Sequence, residues 1–126
     1  MNKQAKQLLT TAAIFGLLSV MLGAFAAHGL KKTLSDYSIG IFETGVKYQF
    51  YHCFALLTAG LLSRENSSKA LFWAGRFFII GFFLFSGSLY LLAILSQHIW
   101  LGMITPIGGL SFMAGWGALL WHIRKS

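Results

Sequence analysis

The residues best suited to chemistry lie in the stretch from Glu43 to Ser63. The polar side chains at its start are Glu43, Lys47, Tyr48, Gln49 and His52. Glu43 and Lys47 are four residues apart, as are Tyr48 and His52, so each pair lies one turn apart on a helix. Such groups can exchange protons or bind a ligand. In a membrane they are costly and usually turn inward to find partners. At about 100° per residue, Tyr48, Gln49 and His52 form the inward face of the helix, and Glu43 lies at the interface. We expect His52 to be buried and hydrogen-bonded to another helix, with Ser86, Ser88, Tyr90 or Thr105 as the partner.

Further polar groups are expected at the same depth, in the outer half of a helical bundle. His28 ends the first helix, and three polar residues follow one another at every second position of the third. Thr105 falls in the outer half of the fourth helix. The full candidate set is His28, Glu43, Lys47, Tyr48, Gln49, His52, Ser86, Ser88, Tyr90 and Thr105.

The composition indicates an integral membrane protein with a single domain, residues 1–126. Hydrophobic residues make up 56% of the chain and charged residues only 10%, against about 25% charged in soluble domains. Gln7–Leu30 is a run of 24 residues without a charge, and Phe77–Ile123 is a run of 47. A membrane-spanning helix needs about 20 such residues.

The net charge of +7 does not indicate a nucleic-acid-binding protein. The Lys and Arg residues are dispersed over termini and loops and form no run dense enough to follow a phosphate backbone. Anionic lipid headgroups are the simpler partner. The one cysteine, Cys53, excludes an intrachain disulfide.

The first helix resembles a signal peptide, but we expect it to be retained. Lys3 and Lys6 precede an apolar run, and Ala24-Phe25-Ala26 fits a cleavage site. However, the run from Leu8 to Ala27 has 20 residues, whereas signal cores have about 7–15. A seam of small residues spaced by four also predicts close helix packing. The seam consists of Ser19, Gly23 and Ala27.

The chain predicts an all-α, polytopic membrane fold with four transmembrane helices. Helix 1 ends near His28-Gly29. Lys31–Thr44 is too polar to span and predicts a short interfacial helix between helices 1 and 2, with Ser35-Asp36 as its N-cap. Helix 2 is expected from Glu43 to Ser63. It carries a second small-residue seam, formed by Ala55, Ala59 and Ser63.

Helices 3 and 4 are expected to form a tight hairpin. Helix 3 is predicted from about Leu71 to Leu95 and helix 4 from Ile99 to about Trp121, with the short turn Ser96-Gln97-His98 between them. Pro106 is expected to break the regularity of helix 4.

The distribution of basic residues predicts both termini in the cytoplasm. One side would hold Lys3, Lys6, Arg64, Lys69, Arg76, Arg124 and Lys125, and the other Lys31, Lys32 and Lys47. The predicted location is the bacterial inner (cell) membrane, crossed several times.

Four motifs in order resemble a known family. They are Gly23-Ala24-Phe25-x-Ala27-His28-Gly29-Leu30, Glu43-Thr44-x-Val46-x-Tyr48-Gln49-x-Tyr51-His52, Phe85-Ser86-Gly87-Ser88-Leu89-Tyr90, and Ile104-Thr105-Pro106-Ile107-Gly108-Gly109-Leu110 followed by Ala114-Gly115-Trp116. Together they resemble the small bacterial inner-membrane family called YgdD or YwdK, which is similar to animal transmembrane protein 256. The resemblance covers nearly the whole chain. It implies four membrane helices and supplies no catalytic residues.

The sequence gives little support to enzymatic catalysis or to a metal site. A metal or haem would use His28 and His52, but these should differ in depth by roughly 8–13 Å, and no metal-binding motif accompanies them. We therefore expect neither metal nor cofactor. Ser86 and Ser88 are not accompanied by a second acid that could orient a histidine as a base. A transport pathway must be lined by helices on every side, and one four-helix chain provides too few of them unless the protein oligomerises.

Two functions remain open. The first is a structural or accessory partner of other membrane proteins, not an enzyme, in which the polar groups hold helices together. The second is binding or transport of a small quinone-like or lipid-like ligand, with His52, Tyr48 and Tyr90 as donors beside an apolar groove. Membrane lipids are the expected partners. A homo-oligomer or a larger membrane complex is left open, and nucleic acid is excluded.

Overall fold

The computed structural model describes residues 1–125, and these fold into helices joined by short turns. A π-helical segment, Phe82–Gly87, joins the helix that ends at Gly81 to the helix that begins at Ser88 without a break. The 3₁₀ turns Leu30–Lys32 and Ile99–Met103 precede α2 and α5. The helices are α1 (Lys3–His28), α2 (Asp36–Glu65), α3 (Lys69–Gly81), α4 (Ser88–Ile94) and α5 (Thr105–Lys125). The prediction of an all-α fold is confirmed.

The helix boundaries follow from local capping. Asn2, Ser35 and Ser68 each accept, through a side-chain oxygen, a hydrogen bond from the backbone N–H three residues later. These bonds satisfy N–H groups that lack an intrahelical partner. At the other end of α1, His28 is the last helical residue and Gly29 is the C-cap. The predicted cap at Ser35 and the predicted end of helix 1 are therefore confirmed.

The predicted short interfacial helix does not form as a separate element. Residues 36–44 are instead the first turns of α2, which runs without interruption over 30 residues, Asp36–Glu65. Ile39 and Phe42 are buried in a small core cluster. Because they continue the buried face of the later turns, packing holds the polar start of the helix in line with its apolar end, and α2 passes through Glu43 unbroken.

The helices form a bundle with α2 at its centre. The third rod of this bundle is α3, the π-helical segment and α4 taken together, and each long rod runs antiparallel to the one before it. α1 lies along α2, α3 lies along α5, and α2 also contacts α3, α4 and the π-helical segment. The start of α1 and the end of α5 lie at one end of the bundle, which we call the terminal end. The opposite end, near His28, is the far end.

The contact between α1 and α2 uses small residues, but at a different spacing from the one predicted. On α1 the small buried residues recur every seventh position, as in a coiled-coil seam, and Ala27 is exposed. Ser19 is buried, and a Cβ added at Gly23 would lie 3.5 Å from Val46 on α2, so the predicted seam is wrong only at Ala27. On α2, the predicted seam of Ala55, Ala59 and Ser63 is buried. The small buried residues of α1 are Ala5, Ala12, Ser19 and Ala26.

The π-helical segment brings α5 against the backbone of the third rod. At Gly108 on α5, an added Cβ would overlap backbone atoms of Leu84 and Phe85. Only glycine permits this approach. Pro106 does not kink α5, because it lies one residue after the helix start at Thr105, where a missing backbone N–H costs little. The helix predicted from Ile99 is nevertheless irregular near Pro106, since Ile99–Met103 is a 3₁₀ turn and the α-helix begins only at Thr105.

Within residues 1–125, three helical segments are long and apolar enough to cross a membrane. They are Lys3–Lys32, Lys69–Ile94 and Ile99–Lys125. At 30 residues, α2 is equally long, but polar residues around Gln49 lower its hydropathy.

Candidate polar site

The buried face of α2 carries the centre of the predicted site. Gln49 and His52 are only 4% and 6% exposed. They are one turn apart, so they share a face that Ala55 and Ala59 continue. Tyr48 was predicted on the same inward face, but it is 41% exposed. Its ring reaches the surface, where it packs beside Phe85.

Both ring nitrogens of His52 have partners. Its Nδ1 lies 2.7 Å from the carbonyl oxygen of Tyr48, and its Nε2 lies 3.0 Å from the indole Nε1 of Trp116 on α5. A carbonyl only accepts and an indole N–H only donates, so His52 must carry its proton on Nδ1. This is the neutral imidazole, in one tautomer. A metal at Nε2 would have to displace the Trp116 bond.

Aromatic rings of the third rod and α5 pack around His52. Its imidazole stacks on Phe112, with ring centroids 3.6 Å apart and planes inclined by 10°. Phe78 on α3 packs at 5.7 Å. The prediction that His52 is buried and bonded to another helix is confirmed. The expected partners, Ser86, Ser88, Tyr90 or Thr105, are wrong, because this packing brings α5 to the ring at Trp116.

Gln49 bonds two other helices at once. Its amide nitrogen donates to the backbone carbonyl of Phe15 on α1, at 3.1 Å. Its amide oxygen accepts a 2.6 Å hydrogen bond from the hydroxyl of Tyr90 on α4. Gln49 thus joins α1, α2 and α4 through one side chain, well within the bundle.

The serines of the third rod also bond neighbouring helices. Ser86 donates a 2.7 Å hydrogen bond to the carbonyl of Gly45 on α2. An added Cβ at Gly45 would meet the ring of Tyr90 at 2.7 Å, so glycine allows α4 to approach this closely. The hydroxyls of Ser88 and Thr105 lie 2.6 Å apart and link α4 to α5.

Three predicted residues lie outside these contacts. His28 is exposed at the far end of the bundle, Lys47 is exposed, and Glu43 is half-buried. None of the hydrogen bonds described above between helices includes them. The candidate set therefore divides into buried groups that link helices and surface groups near the far end.

The sequence reasoning missed Trp116 as a member of the site. Its indole N–H needs a partner in an apolar setting, and its position in the middle of a helix, away from the membrane interface, is the signal that could have found it. A second polar group at the terminal end was also missed. Its side chains are Asn2, Gln4, Ser63, Ser68 and His122, which bond across α1, α2, the loop to α3, and α5.

The buried polar atoms are consistently paired. Within residues 1–125, every buried side-chain nitrogen and oxygen has a hydrogen-bond partner. Each partner described above is another group of the same chain. In an apolar environment, an arrangement of this kind holds helices in register. Long apolar helices with polar groups joined internally define a helical membrane protein.

Comparison with known proteins identifies the family. Residues 22–109 match the family described as "Protein of unknown function (DUF423)", and the chain belongs to this family. The inner membrane protein YgdD of Escherichia coli K12 is 42% identical over 113 residues, which cover 90% of this chain and 86% of that protein. The resemblance noted from the four motifs is confirmed.

Relatives also occur in staphylococci. The membrane protein SH2409 of Staphylococcus haemolyticus is 44% identical over 115 residues, covering 91% of this chain and 93% of that protein. The membrane protein SAB0533 of Staphylococcus aureus is 42% identical over the same length. No solved structure matches the chain. These relatives, all named as membrane proteins, agree with the apolar helices of the chain.

Proposed function

We propose that the protein crosses the bacterial inner membrane four times and serves as a structural or accessory partner of other membrane proteins, not as an enzyme. The observation that carries this proposal is the internal pairing of the polar site. His52 and Gln49 use their hydrogen-bonding groups on Trp116, Tyr90 and the backbone. Side chains used in this way stabilise a scaffold.

The burial of its polar groups supports a fourth crossing by α2. Its 30 residues extend about 45 Å at 1.5 Å per residue, which exceeds the roughly 30 Å of hydrocarbon. Gln49 and His52 lower the hydropathy of α2, but they face other helices and not lipid. Three of its charged residues, Asp36, Arg64 and Glu65, lie at its ends, and the other two, Glu43 and Lys47, lie within its first 12 residues, toward the far end.

The charge distribution supports cytoplasmic termini. In the bundle, seven basic residues lie at or near the terminal end, and three lie toward the far end. Basic residues are enriched on the cytoplasmic side of membrane proteins. The first group is Lys3, Lys6, Arg64, Lys69, Arg76, Arg124 and Lys125, and the second is Lys31, Lys32 and Lys47.

An apolar strip on α5 suits a protein partner or a second copy of the chain. Its large side chains recur at helical spacing and are more than half exposed within the monomer. Side chains at this spacing lie on one helix face. The strip consists of Ile107, Leu110, Met113 and Leu120.

Native mass spectrometry of the protein released from mild detergent tests this function. We expect copies of the chain or associated membrane polypeptides, and Met113→Gln to weaken the association. Met21→Gln is the matched control, since Met21 is also exposed but lies on α1. A monomer with a stoichiometric small molecule would contradict the proposal.

A groove between α1 and α2 favours ligand binding as the second candidate. Its volume is about 270 Å³ and it is lined by Ser19, Val20, Val46, Lys47, Phe50 and Tyr51. The apolar walls suit a lipid-like tail, and the amine of Lys47 could meet its polar head. Recovery of a lipophilic molecule that Val46→Trp excludes would favour this function over the scaffold.

A further inference from the structure

A polar groove opens between α1 and α3 near the terminal end. Its volume is about 270 Å³, and its lining combines polar side chains with apolar walls. Leu8 of α1 packs against Gly75 of α3 beneath the groove, where an added Cβ would overlap the leucine side chain. The lining residues are Gln4, Gln7, Leu8, Thr11, Phe72, Gly75, Arg76 and Ile79.

Arg76 gives this groove its charge. It lies on α3, whose other charged residue is Lys69 at the helix start, and its side chain is exposed. The guanidinium carbon lies 4.9 Å from the ring centroid of Phe72, one turn closer to the terminal end. Within residues 1–125, no carboxylate forms an ion pair with it. The cation is therefore held over an aromatic ring with its N–H donors available.

The polar groups of the groove lie within about 6–12 Å of the first helical residues at the terminal end. Arg76 is about 10 Å along the helix axis from Lys69, and Gln7 and Thr11 are about 6 and 12 Å along α1 from Lys3, at 1.5 Å per residue. The headgroup layer occupies about the outer 5–8 Å of each side of a bilayer. A long arginine side chain at this depth reaches back to that layer.

We propose that this groove binds the phosphate of an anionic phospholipid. The guanidinium of Arg76 and the side-chain amide of Gln7 supply N–H donors to phosphate oxygens, which arginine recognises in bidentate geometry. Phe72 and Ile79 give the groove an apolar wall, along which an acyl chain can lie. A free phosphate ion would satisfy the donors but would leave this surface uncovered.

The site is independent of the polar contacts around His52 and of the proposed scaffold role. It lies at the terminal end, whereas His28, Lys47 and the groove between α1 and α2 lie toward the far end. Loss of lipid binding here would leave helix association intact, and the two proposals can therefore fail separately.

Native mass spectrometry with added phosphatidylglycerol tests the site. Arg76→Gln should reduce the bound fraction, corresponding to about a ten-fold weaker affinity, because a hydrogen-bonded charge pair is lost. Arg124→Gln is the matched control, since it removes the same charge from an exposed residue at the same end, outside the groove. Arg76→Lys should retain part of the binding. Equal binding by the Arg76→Gln and Arg124→Gln variants would overturn the proposal.

Two further binding measurements identify the ligand. Phosphatidylcholine should bind about ten-fold more weakly than phosphatidylglycerol, since its headgroup has no net charge, and millimolar inorganic phosphate should not displace the lipid. Equal binding of phosphatidylcholine, or full displacement by phosphate, would overturn the assignment to an anionic lipid. Thermal unfolding in detergent, unchanged in Arg76→Gln, shows that the variant is folded.

Discussion

The indole Nε1 of Trp116 donates a 3.0 Å hydrogen bond to Nε2 of His52 and so ties α5 to the central helix. The opposite ring nitrogen is fixed by the Tyr48 carbonyl, and Phe112 stacks on the ring. The imidazole is thus held by two hydrogen bonds and by stacking on one aromatic ring. Its orientation sets how α2 and α5 are aligned along their length.

Removing this imidazole should destabilise the bundle. We expect His52→Ala to lower the free energy of unfolding by about 1–3 kcal/mol, because the Trp116 N–H and the stacked Phe112 ring lose their partner. Unfolding in a mixed-detergent titration measures this. His28→Ala is the control, since His28 is exposed, and it should be close to neutral. A lipid-facing His52 would predict no difference between the two variants.

The Tyr90–Gln49 bond gives a second test. We expect Tyr90→Phe to cost about 1 kcal/mol, because the buried amide oxygen of Gln49 loses its donor while the ring packing remains. Tyr37→Phe removes the same hydroxyl from a side chain that is 79% exposed, and its stability, measured by the same titration, should match that of the wild type. Equal losses in both variants would argue against this bond as a helix contact.

Gly108 and Gly109 form a matched pair for the contact between α5 and the π-helical segment. Gly108→Ala should lower stability by about 1–3 kcal/mol, because the new methyl overlaps the backbone at Leu84 and Phe85. Gly109→Ala places its methyl 3.8 Å from the Phe85 ring. It should be neutral or stabilising, since alanine favours helix. Thermal unfolding in detergent measures both, and equal values would mean that the close contact does not form.

Neighbouring alanines test the seam of α1. Ala12 is 1% exposed, and the adjacent Ala13 is exposed. Ala12→Leu should push α1 away from its neighbours and cost about 1–3 kcal/mol in the same unfolding measurement, whereas Ala13→Leu should be tolerated. If both leucines are tolerated, α1 does not pack along this face.

Reporter fusions test the orientation. A fusion after residue 126 should read cytoplasmic, and a fusion in the Ser96–His98 turn should read external, because the basic residues concentrate at the terminal end. Replacing Lys3 and Lys6 by glutamine in the same fusions shows whether these two charges contribute. An external C-terminus would reverse the proposed topology.

Much of the fold could be predicted from the sequence because its signals are local. The cap at Ser35, the end of helix 1 at Gly29 and the buried seam of Ala55 and Ala59 depend on residues within one or two turns. The continuous start of α2 could not be predicted in this way. It depends on Ile39 and Phe42 packing against other helices, which overrides the polarity of the segment.

The sequence predicts the part of the candidate site that lies on α2, but not the residues of other helices that contact it. Helical spacing places Gln49 and His52 on one face, and both are buried. Which groups meet them depends on how far neighbouring helices slide along α2. For α5, that position depends on its close approach to the third rod at Gly108 and on the contacts of Phe112 and Trp116 with His52. The residue pattern of a single helix does not determine how two helices are placed against each other, and Trp116 was therefore missed.

Gln4 has a consequence for biogenesis. Its amide oxygen accepts from the Ser63 hydroxyl and from the Ser68 N–H, and its amide nitrogen donates to the Ser68 carbonyl. Gln4 is synthesised 59 residues before Ser63 and 64 before Ser68. These bonds can therefore form only after α2 and the loop that follows it have been synthesised. Closure of the terminal end by Gln4 is thus a late step in folding, although Gln4 is among the first residues to be made.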